Sequence, residues 1–198
     1  MSAAITAMLT PQNSGSLPRG QDGSIKLPHK SKGDFAEAVA IKLLLERGYS
    51  VRNLNDTRNN NPSVDLEAEG IGSPFLVSVK SCWTPNRQLR LGSPASVSAL
   101  PDGAFVLAFL PRVKGEPLDL SPGGHVVWIV PAVVAREEAL AAHWHYASHN
   151  PGSAKHSVMV KDKTDRSEKT RSGALFHRWA SLYESAWHLL PPPFDAVE

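Results

Sequence analysis

Two short segments, Val64–Glu69 and Phe75–Ser81, constrain this chain more than any other feature. Each alternates apolar with polar residues, the period of a half-buried strand. Gly70-Ile71-Gly72-Ser73-Pro74 between them is a turn composition, so the pair reads as a hairpin. In the first strand Asp65, Glu67 and Glu69 share one face. In the second, Leu76, Ser78 and Lys80 share a face, with Phe75, Val77 and Val79 opposite. A turn between Ile71 and Gly72 makes paired positions sum to about 143, which sets Asp65 across from Ser78 with Lys80 on the diagonal.

The flanking sequence supplies the rest of a mixed α/β domain. Asp34–Gly48 reads as a helix, with Phe35, Val39 and Leu43 and then Ala38, Ile41 and Leu45 at helical steps. Asp34 is its expected N-cap and Gly48 its stop. Tyr49-Ser50-Val51 starts a strand. Ala104–Leu110 and His125–Val130 are apolar enough for buried strands. Pro131 opens a helix to about His145, His156–Lys161 is a further strand, and Ala174–Leu190 is a C-terminal helix. We expect residues 1–30, rich in Ser, Gly, Pro and Gln, to form a flexible arm. Residues 31–190 form one domain with its core at 31–135 and a helical extension at 136–190, and residues 191–198 form a tail.

Composition narrows the class. With 198 residues, 41% of them hydrophobic, the chain can fill one core. No apolar run approaches the roughly 20 residues of a membrane span, so no membrane partner is expected. A single Cys82 and the lack of a secretory leader pattern point to the cytoplasm. The net charge of +2 announces no nucleic acid by itself. Residues 151–178, however, hold seven Lys and Arg against three acids, an excess that suits phosphates or a solvated loop equally.

An acid and a lysine on adjacent strands, beside a helix bearing Glu37, suit one kind of chemistry. Carboxylate oxygens bind Mg²⁺ or Mn²⁺. Such a metal polarises a phosphodiester and acidifies a bound water, and an ammonium group positions that water.

Lys32-Gly33-Asp34-Phe35-Ala36-Glu37, Asn61-Pro62-Ser63-Val64-Asp65-Leu66 and Phe75-Leu76-Val77-Ser78-Val79-Lys80-Ser81 together resemble the PD-(D/E)XK nuclease superfamily. The resemblance covers roughly residues 31–135. It implies a restriction-endonuclease-like core: a central mixed sheet of four to five strands flanked by helices, with a C-terminal helix beyond it. It implies a Mg²⁺- or Mn²⁺-dependent endonuclease acting on nucleic acid, DNA first, and working as a homodimer where both strands are cut. Asp65 is then the central metal ligand, Glu37 an accessory ligand or water orienter, and Lys80 the catalytic lysine. The chain departs from the family at Ser78, which replaces the acid of the acid-x-Lys element. Glu67 and the main-chain carbonyl of Val79 are the groups that would compensate as metal ligands. Trp83, Arg87 and Arg90, just after the lysine strand, and Lys32 ahead of Glu37 are the candidate nucleic-acid contacts.

Two other readings stand beside this one. A catalytically silent domain of the same fold would bind nucleic acid or a protein partner, with Asp65 alone in a site closed by Trp83 or Arg87. An unrelated α/β protein would put Asp65 and Lys80 on opposite sheet faces. His145 and His149, four apart, invite a zinc reading but lack a third ligand at motif spacing. Cys82 reads as a small buried hydrophobe, and the Trp179, Tyr183, Trp187 stripe as core.

Overall fold

Ala36, Ala40 and Leu44 recur every four residues along the first helix, α1 (His29–Leu45), and all three are buried. Their small and branched side chains let α1 lie close on a sheet face built from Leu66, Ala68, Phe75, Val77 and Val79. The computed structural model describes residues 29–55, 63–150, 157–162 and 172–194. The expected arm up to residue 28, the Asn61-Pro62 pair, most of the basic 151–178 stretch and the last four residues lie outside them.

The central sheet has five strands in the order β1-β2-β3-β5-β6. They are β1 (Ser50–Asn53), β2 (Leu66–Glu69), β3 (Phe75–Ser81), β5 (Phe105–Pro111) and β6 (His125–Pro131). β1, β2 and β3 form an antiparallel meander, β5 joins β3 in parallel, and β6 closes antiparallel to β5. Between β3 and β5 the chain makes β4 (Gln88–Gly92) and a short helix α2 (Pro94–Ser98). After β6 come α3 (Ala132–His149), β7 (Val158–Lys161), α4 (Ser172–Tyr183) and a 3₁₀ turn (Trp187–Leu189). β4 pairs only with β7, as a separate two-stranded ribbon.

The sheet is buried on both faces. One face carries α1 with Tyr49, Leu107, Phe109 and Ile129. The other carries α3, α4 and the ribbon around Trp128, Phe176 and Trp179, whose rings meet edge to face. This is the mixed sheet with flanking helices and a C-terminal helix that the family resemblance implies. Among the described residues no helix is long and apolar enough to cross a membrane.

Three local expectations need correction. α1 begins at His29, and Asp34 lies exposed within it rather than capping it. Gly33 costs this first turn about 1 kcal/mol, which packing of the later turns offsets. α4 stops at Tyr183 instead of running to Leu190. There the chain crosses the edge of β6: Ser185, at φ +52°, donates its N–H to the Val127 carbonyl at 2.8 Å, and Glu184 bridges Trp128. The aromatic stripe is therefore divided, with Trp179 on one sheet face and Trp187 on the other. Finally, β4 and α2 form where no element is predicted from the sequence, Arg90 on β4 being a candidate nucleic-acid contact.

Candidate active site

Asp65 is stitched into the sheet from both sides. Its N–H donates to the Val77 carbonyl at 2.9 Å, and its carbonyl accepts from the N–H of Leu54 at 2.9 Å. Pairing of Leu66 with Val77, Glu67 with Leu76 and Ala68 with Phe75 gives the 143 sum throughout. Asp65 therefore shares a face with Ser78 and Lys80.

The side chain of Asp65 is mostly enclosed. The Val79 N–H donates to its Oδ2 at 2.6 Å, the Ser78 hydroxyl donates to the same oxygen at 3.4 Å, and Lys80 Nζ stands 3.8 Å away. All three contacts are to Oδ2. The short backbone bond fixes the carboxylate more firmly than the long hydroxyl contact does. Ser78 itself is fully buried. The unrelated-α/β reading fails here, because Asp65 and Lys80 meet on one face.

Glu37 follows the buried Ala36 on α1 and is half-buried. Asn55, at the end of the segment leaving β1, donates its side-chain N–H to Glu37 Oε2 at 3.1 Å. The backbone of Asn55 is turned by an N–H bond to Asn53 Oδ1 at 2.9 Å. Burial pushes the Glu37 carboxyl above its ordinary value of 4.5, against the lowering effect of the Asn55 bond. Asp65 and Asp34 push it further up by repulsion, and Lys80 pulls it down. Glu37 thus lies in the field of two other carboxylates, Asp65 and Asp34, and of the Lys80 ammonium. Sequence reasoning passes over Asn55; its only signal is its place in Asn53-Leu54-Asn55, directly after a strand.

The other sequence candidates lie elsewhere. Glu67 is held by Arg52, whose guanidinium reaches both carboxylate oxygens at 3.0 Å. Val79 meets Asp65 through its N–H, whereas the sequence reading assigned its carbonyl. Trp83 packs at the rim of the α1-side core and donates its indole N–H to Ser81 Oγ at 2.8 Å. Arg87, left-handed at φ +51°, is largely buried, 3.5 Å from Asp162 and over the ring of Phe176. Arg90 is exposed on β4, and Lys32 lies within α1. Neither Trp83 nor Arg87 is among the contacts of Asp65.

Among the described residues no three His, Cys, Asp or Glu side chains gather as a metal cluster. The rings of His145 and His149 lie 4.3 Å apart, but His149 Nδ1 is engaged by the His145 carbonyl at 2.8 Å. Cys82 is buried, and burial pushes its thiol up, as befits a packing residue.

Among solved structures, this chain is similar to a bacterial homing endonuclease, I-Ssp6803I. Identity is 20%, coverage 83% of this chain and 91% of that one, and the TM-score 0.47. It is also similar to Hjc, a Holliday junction resolvase from the archaeal hyperthermophile Archaeoglobus fulgidus, at 17% identity. There the coverage is 52% of this chain and 75% of that one, with a TM-score of 0.36. No family model and no curated protein matches the sequence. At these identities the roles of individual residues rest on the geometry of this chain.

Proposed function

We propose that this chain is a metal-dependent nuclease that hydrolyses phosphodiester bonds of nucleic acid. The observation that carries the reading is Lys80 Nζ 3.8 Å from Asp65 Oδ2, with Glu37 in electrostatic reach of both. One or two carboxylates completed by water and substrate phosphate are what Mg²⁺ takes in such sites, so Asp65 and Glu37 fit the metal the resemblance implies. When bound, Mg²⁺ or Mn²⁺ polarises the phosphodiester and acidifies a water.

The chain's own groups do the rest. The Val79 N–H holds the Asp65 carboxylate in place by Oδ2, and that carboxylate would be the metal's main ligand. Glu37, set by Asn55, supplies the second charge. Lys80 holds a proton on Nζ through the reaction, orients the attacking water and offsets charge developing on the phosphoryl oxygens. Ser78 adds a hydroxyl where a third carboxylate would add charge, so metal affinity is lower and the requirement extends to higher metal concentration. Cutting both strands of a duplex calls for two such sites, which a homodimer supplies. A reduced single thiol suits the cytoplasm.

Ser78 also favours the second reading, a silent domain of the same fold that binds nucleic acid or a protein, because two acids hold a metal less firmly than three. The test is cleavage of plasmid, linear and single-stranded DNA and of RNA, with Mg²⁺, Mn²⁺ or EDTA. The expected result is metal-dependent cleavage that falls at least ~100-fold in both Asp65→Ala and Lys80→Ala. Well-folded protein that cuts nothing with either metal, or an Asp65→Ala variant that cuts normally, overturns the nuclease reading.

A further inference from the structure

We infer that the β4–β7 ribbon is a reading head for the major groove of duplex DNA; this rests on the nuclease reading and names the substrate class within it. Gln88 pairs with Lys161, Leu89 with Val160 and Arg90 with Met159. Leu89, Leu91, Val158 and Val160 are fully buried against the Trp128, Phe176 and Trp179 core. The opposite row is Gln88 and Arg90 on one strand, Met159 and Lys161 on the other, with Arg90 exposed and the rest half-buried. A rigidly packed inner row therefore presents hydrogen-bonding side chains on the outer one.

The shape and residue types select the occupant. Two strands lie about 4.8 Å apart, and a major groove about 12 Å wide admits such a ribbon. A bulge between Arg90 and Gly92, where Gly92 takes φ +132°, adds local right-handed twist. Arg reads guanine and Gln reads adenine through paired hydrogen bonds on their major-groove edges. The major groove of A-form RNA is too deep and narrow for side chains to read, and a single strand has no groove.

Charge at one end of the ribbon points the same way. Asp162, directly after Lys161, is buried and faces Arg87 at 3.5 Å, Lys114 at 3.4 Å and His177 at 4.0 Å. Among the described residues two fixed cations and a histidine face this one carboxylate, and Lys114 and His177 are each about half exposed. This surplus meets phosphates beside the groove that Gln88 and Arg90 enter. The ribbon is also tied closely to the cleavage site. The connection from Lys80 is pinned by the Cys82 N–H on the Phe109 carbonyl at 2.8 Å and the Gln88 N–H on Thr84 Oγ1 at 3.1 Å.

The test measures binding by the full chain in EDTA, where metal-dependent cleavage is off. Sites are first selected from randomised duplex DNA, and affinity is then followed by fluorescence anisotropy. Gln88→Ala and Arg90→Ala are each expected to lose about 5- to 100-fold on the selected duplex and to lose preference at one base pair. Lys114→Ala should weaken all duplexes alike and lower the salt slope by about 1. Melting temperatures of the outward variants should match the parent. Parent-like binding by Arg90→Ala and Gln88→Ala, absence of any base preference, or tighter binding to single strands or RNA overturns the ribbon assignment. Those outcomes leave the nuclease reading to the Asp65→Ala and Lys80→Ala cleavage assay. A parent that binds no nucleic acid in EDTA overturns the ribbon assignment, and cleavage with Mg²⁺ or Mn²⁺ decides the nuclease reading separately.

Discussion

Asp65 and Asp162 are both enclosed aspartates facing basic side chains, yet they form opposite kinds of environment. Asp65 is paired with one ammonium, Lys80, and stands near a second carboxylate, Glu37, which burial first and the repulsion of Asp65 and Asp34 after it push up. Among the described residues Asp162 faces Arg87 and Lys114, with His177 beyond. The first environment is short of positive charge and the second has more than it needs. An ion pair alone therefore identifies no site. What points to a ligand is the imbalance left after pairing, negative beside β2 and β3, where a divalent cation suits, and positive beside the ribbon, where phosphate suits.

Replacing each aspartate by asparagine breaks this comparison most directly. Asp65→Asn keeps an oxygen for the Val79 N–H and relieves repulsion on Glu37, so its melting temperature should stay within about 2 °C of the parent. Its metal-dependent cleavage should fall at least ~100-fold. Asp162→Asn should do the reverse. It leaves Arg87 largely buried beside a neutral group, which costs about 3–5 kcal/mol and lowers the melting temperature by roughly 10 °C. Thermal melting and cleavage on both variants check the pair; an Asp65→Asn protein that melts as early as Asp162→Asn would make Asp65 a structural residue.

The first environment was legible in the sequence and the second was not, for a physical reason. Alternation on both strands and a five-residue turn leave the β2–β3 hairpin one register that buries Phe75 and Val77, so the Asp65–Ser78 pairing follows from local pattern. Glu37 lay a helix away but on a recognisable motif. The ribbon depends on Arg90 meeting Met159, a pairing across almost seventy positions that no local period reports. β4 itself did leave a mark: Leu89 and Leu91 alternate with Gln88 and Arg90. Ser93-Pro94 then signals a helix start, and the Ser93 hydroxyl accepts the Ser96 N–H at 3.0 Å. Arg87 was read as a groove residue because Asp162, its partner, is equally distant in sequence.

Gly70 sharpens the comparison at a smaller scale, because it affects only the hairpin side. A Cβ there would stand 2.1 Å from the Pro192 carbonyl oxygen. That carbonyl accepts the Ile71 N–H at 2.7 Å, and the neighbouring Pro191 carbonyl accepts the Tyr49 hydroxyl at 2.6 Å. Gly70→Ala should cost about 1–3 kcal/mol, and the same substitution in a chain ending at Leu190 should cost almost nothing. Equal costs in both backgrounds would show that the clash with the tail is not what Gly70 avoids. Affinity of the ribbon for duplex DNA should be unaffected.

The smallest effect belongs to Glu37, and its sign distinguishes a charge-short site from an ordinary surface acid. The folded carboxyl titrates above its ordinary 4.5, so between those two values the native state holds a proton that the unfolded chain has released. The contribution of Glu37 to stability in EDTA must then decline as pH rises through that window, the opposite of a salt-bridged acid. Glu37→Gln keeps an oxygen for Asn55 and removes this titration, so its stability relative to the parent should rise across the window and exceed the parent's above it. Adding Mg²⁺ should raise the parent's melting temperature more than that of Glu37→Gln, which keeps only Asp65 as a charged ligand. Melting curves from pH 4 to 8, with and without the metal, read both effects. A parent whose stability rises with pH relative to Glu37→Gln would place Glu37 in a charge-satisfied environment like that of Asp162, and the contrast between the two aspartates would no longer hold.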